Sequence, residues 1–110
     1  MSKKVHEFND MIRKLRKELF GKGPERIHTV FAQNMAIATL YGKLTPTEKF
    51  ISSTMDGAEM VHMARTKMIQ EVYAANSREH LEELVGAKFV NLFSDMKVEE
   101  DIAVSVFVFD

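Results

Sequence analysis

The chain has 110 residues, 45% of them hydrophobic and 28% charged, a composition that fits one folded domain and excludes disordered and low-complexity architectures. It contains no cysteine, so disulfide frameworks, thiolate metal sites and cysteine nucleophiles are excluded. Its formal net charge of −1 is a cancellation, because residues 1–26 carry eight Lys/Arg against four Asp/Glu and residues 77–110 carry three against eight.

The first segment places Val5, Phe8, Ile12, Leu15 and Leu19 three and four residues apart, the apolar stripe of an amphipathic helix. Gly21 ends it as a left-handed cap, and Gly23-Pro24 prevents continuation. From Arg26 to Tyr41 the residues turn β-rich, with Gln33-Asn34 between two runs, which predicts a β-hairpin. Thr45-Pro46-Thr47-Glu48 is a capping box with proline at the first helical position. It opens a long helix whose stripe runs through Phe50, Thr54, Val61, Ala64, Met68 and Val72 toward Ala75, with a break or bend expected at Asp56-Gly57. A second box, Asn76-Ser77-Arg78-Glu79, starts a short helix closed by Gly86. Two strands follow, Lys88–Ser94 and Ile102–Phe109, joined by an acidic loop over Asp95–Asp101.

The order α-β-β-α-α-β-β over residues 1–110 predicts a single α+β domain, a four-stranded mainly antiparallel sheet with helices on one face. The last strand is apolar on both sides: Ile102, Val104, Val106 and Val108 point one way, and Ala103, Ser105, Phe107 and Phe109 the other. With helices on one face only, Phe107 and Phe109 would be left wet. A homodimer is the expected cover for them, with the long helix or another partner as alternatives.

Catalytic signals are sparse. Glu59 and His62 form a Glu-x-x-His pair on a helix, the half-motif of a di-metal bundle, but the only other instance, Glu25 and His28, falls on a strand where its ends face opposite ways. Ser52-Ser53-Thr54 lies near His62 with no fixed carboxylate in view. Gly21-Lys22-Gly23-Pro24 follows a helix and enters a strand, the reverse of a phosphate loop. No catalytic residue, metal or cofactor is assigned. Helix 1 gathers Arg13, Lys14, Arg16 and Lys17 away from its stripe, a basic face suited to anionic headgroups or an acidic protein surface. Nucleic acid is not expected, because the strands lack the aromatic stacking order of RNA-recognition modules.

The runs Gly42-Lys43-Leu44-Thr45-Pro46-Thr47-Glu48, Gly57-Ala58-Glu59-Met60-Val61-His62-Met63-Ala64-Arg65, Leu84-Val85-Gly86-Ala87-Lys88-Phe89-Val90 and Ser94-Asp95, together with the Gly21–Pro24 turn, resemble the small bacterial MpsC-like family. The resemblance covers nearly the whole chain. It implies a component of a sodium-translocating, membrane-potential-generating system linked to inorganic carbon supply, and it carries over no catalytic residue. Within these runs Arg65 is expected to leave an apolar stem and pair with a carboxylate such as Asp95.

Without a signal h-region or an 18-residue apolar run, the chain reads as cytoplasmic, peripheral at most at the inner face of the membrane. The expected function is a non-enzymatic accessory protein that docks on a membrane transport complex or an anionic surface. The alternatives are a small-molecule or anion-sensing domain with its ligand near His28, Tyr41 and Arg65, and a metal-dependent enzyme using Glu59 and His62.

Overall fold

The computed structural model describes residues 3–110, with the backbone alone for residues 72–77. Helix α1 (Lys3–Phe20) leads into strands β1 (Arg26–Ala32) and β2 (Met35–Tyr41). Helices α2 (Pro46–Ile51), α3 (Met55–Met68) and α4 (Ala74–Val85) follow, a π turn at Ile69–Tyr73 joining the last two, and strands β3 (Phe89–Lys97) and β4 (Ile102–Phe109) finish the fold. The strands form one antiparallel sheet in the order β1-β2-β4-β3, so the α+β architecture expected from the sequence is the one observed.

The α1 stripe is buried as its spacing requires, with Phe8 and Ile12 exposed by 1% or less. Phe8 meets Phe107 edge-on at 5.1 Å and Phe31 at 5.4 Å between ring centres, contacts each worth about 0.5–1.5 kcal/mol beyond burial. Gly21 ends the helix at φ 83°, its N–H donating to Lys17 O at 2.8 Å. Phe107 and Phe109 therefore lie under the helices, and the opposite set, Ile102, Val104, Val106 and Val108, faces outward. The preference for a homodimer as the cover of the two phenylalanines is corrected: the chain's own helices pack on their side of β4, and no second copy is needed to bury them.

The long helix is interrupted earlier than Asp56-Gly57. The break falls at 52–54, where Thr54 caps α3 by accepting a hydrogen bond from Gly57 N at 3.0 Å. Gly57 is what lets the corner close, since a Cβ there would stand 1.7 Å from Ile51 O. The Thr45–Glu48 capping box forms as predicted, with both reciprocal bonds present. No new helix begins at Asn76: the backbone is helical from Met55 through Val85, and the side-chain contacts of Asn76 and Ser77, like that of Val72, lie outside the described residues. The π turn has a packing reason. Twelve residues separate Ile69 from Leu81, which in a pure α-helix places them about 120° apart. The extra residue of a π turn reduces this to about 20°, and both side chains are buried, at 2% and 0% exposure.

Strand β3 also runs longer than predicted, to Lys97, because Leu92 and Met96 point into the core and Met96 pairs with Ala103. Asp95 to Lys97 are thus strand rather than loop. The turn is confined to residues 98–101 and closes with Asp101 at φ 52°.

Candidate functional site

The sheet has one covered face and one bare face. On the bare face, strand register aligns Val30, Ile37, Val106 and Phe93 in one row across all four strands. The next row is His28, Thr39, Val104 and Asp95, and the next Arg26, Tyr41, Ile102 and Lys97. Val30 is 46% exposed and Phe93 56%, with Val104 also exposed and Met35 and Val108 half-buried. No described helix covers these rows, so a continuous apolar band meets solvent, bounded by charged residues at one end. The Arg26 guanidinium lies 4.1 Å over the Tyr41 ring and shields part of that end.

The residues singled out from the sequence distribute over three places. Arg13, Lys14 and Lys17 are exposed along α1, Arg13 sharing an ion pair of 3.3 Å with Asp10. Arg16 leaves this group: it is 2% exposed and donates from Nη2 to the buried Ser105 Oγ at 3.1 Å. Its position four residues after Ile12 puts it on the buried side of the stripe, which the clustering of basic residues concealed. His28 and Tyr41 stand on the bare sheet face, whereas Arg65 is buried on the opposite side. These three therefore form no common ligand site.

Arg65 does not pair with Asp95. Its Nε and Nη2 donate to the two carboxylate oxygens of Glu48 at 2.6 and 2.7 Å, Nη2 also donates to Lys43 O at 2.9 Å, and the guanidinium lies 4.1 Å over Phe20. The capping box explains the choice: Glu48 is already turned toward the start of α2 and offers its acceptors to α3 beside it. Burial works against ionisation of Glu48, but the hydrogen bonds from Arg65 and Thr45 outweigh it and hold the carboxyl below its usual range. Asp101 repeats the pattern. Burial opposes its charge, yet it accepts from Lys43 N at 2.9 Å, Leu44 N at 3.2 Å and Lys43 Nζ at 3.3 Å, and its acidity is increased. Desolvation pushes the Lys43 ammonium down despite Asp101, with Arg65 and Arg16 adding in the same direction.

Asp95 is taken by His62 instead, with 2.7 Å between Nε2 and Oδ1, and this contact holds the carboxyl below its usual range. Asp95 lies on the edge strand, from which its carboxylate reaches around to α3. The pair lines a groove of about 620 Å³ that also includes Glu59 and the hydroxyls of Ser52, Ser53 and Thr54. Among the described residues no three His, Asp or Glu side chains come together in a way that could hold a metal ion.

A four-stranded sheet backed by helices on one side and apolar on the other defines a small α+β domain with one open sheet face. The chain belongs to the MpsC family: residues 2–110 match the family described as Na+-translocating membrane potential-generating system (MpsC). It is 69% identical over 110 residues to the Bacillus subtilis (strain 168) protein named "Uncharacterized protein YrhF", a match covering 100% of this chain and 90% of that one. No solved structure matches the chain. Among the described residues no helix is long and apolar enough to cross a membrane.

Proposed function

We propose that this chain is a non-enzymatic accessory protein of a bacterial membrane ion-translocating system, peripheral at the inner face of the membrane and acting by contact. The observation that carries this reading is the bare sheet face, where the row Val30–Ile37–Val106–Phe93 offers apolar surface across the full width of the sheet. A second copy is the occupant that the register favours. A two-fold axis parallel to the strands, between β2 and β4, sets Val30 against Phe93 of the second copy and Ile37 against its Val106. The same rotation sets His28 opposite the β3 position of Asp95 in the second copy, a carboxylate whose Oδ1 is already held by His62 of its own chain. In such a dimer both α1 helices stay outside, with Arg13, Lys14 and Lys17 available to anionic headgroups or an acidic protein surface.

Sedimentation equilibrium tests the pairing. The wild type should sediment as a dimer, and Ile37→Lys should yield a monomer with an unchanged far-ultraviolet circular dichroism spectrum; a monomeric wild type overturns the pairing. Co-sedimentation with anionic and neutral vesicles at low and high salt tests the surface. Binding should require anionic lipid, weaken with salt and disappear in the Arg13/Lys14/Lys17→Glu variant. Binding indifferent to all three sinks the membrane half of the reading.

A further inference from the structure

Between the sheet and the helices the protein buries three cationic side chains in one neighbourhood: Arg16, Lys43 and Arg65 are 2%, 1% and 3% exposed. They line a small void of about 10 Å³ together with the hydroxyl-bearing Thr66 and Ser94. One carboxylate residue, Asp95, also borders it, but that side chain is 82% exposed and its Oδ1 accepts from Met96 N while contacting His62. Arg65 has two of its three nitrogens engaged, by Glu48 and the Lys43 carbonyl, whereas Nη1 is buried and has no hydrogen-bond partner among the described residues. A buried N–H without an acceptor is rare in folded proteins and calls for an occupant that accepts.

We propose that this void binds one small monovalent anion of halide size, with Arg65 Nη1 as the direct donor and Lys43 and Arg16 supplying the field. Size selects the class, since about 10 Å³ accommodates one water-sized occupant and leaves no room for a planar or tetrahedral oxyanion. Charge selects anion over water. Glu48 and Asp101 pair with Arg65 and Lys43 but neither borders the void, whose lining carries all three cationic side chains, so a water molecule would have to direct two protons into a wall rich in N–H donors. The site is assembled from α1, the β2–α2 connection, α3 and β3, so an anion there ties the helices to the sheet. The inference stands apart from the contact reading, because the void lies on the covered face of the sheet and a monomer contains all of it.

Two measurements on the full chain test it. Crystals grown in bromide should show an anomalous peak within hydrogen-bond distance of Arg65 Nη1. In solution, raising chloride from 50 to 500 mM should raise the thermal midpoint by about 5 °C more than the same increase in gluconate, a larger anion, at equal ionic strength. Ser94→Val tests the void itself, because a β-branched residue suits the strand and its extra methyl groups fill the space, at the cost of the 3.0 Å hydrogen bond between Ser94 Oγ and Ser105 Oγ. That variant should fold and should lose the chloride-specific shift. Bromide peaks at surface positions only, a water in the void in the presence of bromide, or equal shifts with chloride and gluconate each overturn the proposal.

Discussion

Strands β2 and β4 present two faces of similar apolar character to two different environments. Inward, Ala36, Ala38, Leu40, Ala103 and Phe107 are exposed by 3% or less, and the small residues make room for helix side chains such as Phe8 and Ile12. Outward, Ile37, Val104, Val106 and Val108 are β-branched, larger than the alanines opposite them, and open to solvent to varying degrees. The inner face is shaped by what it touches, alternating small and large residues around the helix side chains packed on it. The outer face of these two strands lacks that alternation of small and large, and its β-branched residues stand at similar height.

Four experiments break or sharpen that contrast, the largest effect first. Phe107→Ala empties the centre of the inner face and should cost about 3–5 kcal/mol in urea denaturation; a loss below about 1 kcal/mol would falsify the assignment of the core to that face. Arg65→Met comes next, at about 2–3 kcal/mol after allowance for the partial exposure of Glu48, because it leaves a half-buried carboxylate without its partner. Acid should act on the same inner network. The folded-state acidities of Glu48 and Asp101 are both raised, so their stabilisation is complete above the unfolded carboxyl range and is lost as the pH falls below about 4. Chemical denaturation between pH 6 and 3 should show that decline, with Asp101→Asn reducing its slope. The outer face should respond least in folding terms. Val106→Thr, measured at a concentration where the protein is monomeric, should change stability by no more than about 1 kcal/mol while weakening self-association. An effect as large as that of Phe107→Ala would mean that the two faces are not distinct.

The architecture was legible because its signals were local. The Thr45–Glu48 box, the left-handed glycines at 21 and 86 and the two-faced alternation of β4 each follow from nearest neighbours in sequence, and each is where the residues put it. What could not be read depended on which side the helices chose. Nothing in β4 alone distinguishes Phe107 inward from Val106 inward, since either set supplies an apolar face. Arg16 was hidden for the same reason: a guanidinium on the stripe is buried only because Ser105 waits opposite it, 89 residues away. The pairing of Arg65 with Glu48 rather than Asp95 turned on the corner at 52–54, which swings α2 beside α3. The π turn has no short-range sequence signature, and only the joint burial of Ile69 and Leu81 reveals its purpose.

The Asp101 carboxylate, reaching back 58 residues to Lys43, has a kinetic consequence. All of α2, α3 and α4 lie within the span it closes, so it acts as a clasp on a long loop. The entropy of closing such a loop is lost before the contact returns anything. The clasp is therefore expected to fasten late in folding, after the two hairpins have met, and by the same path to open early in unfolding. Asp101→Asn should then speed unfolding while leaving the folding rate nearly unchanged, which a chevron analysis reads directly.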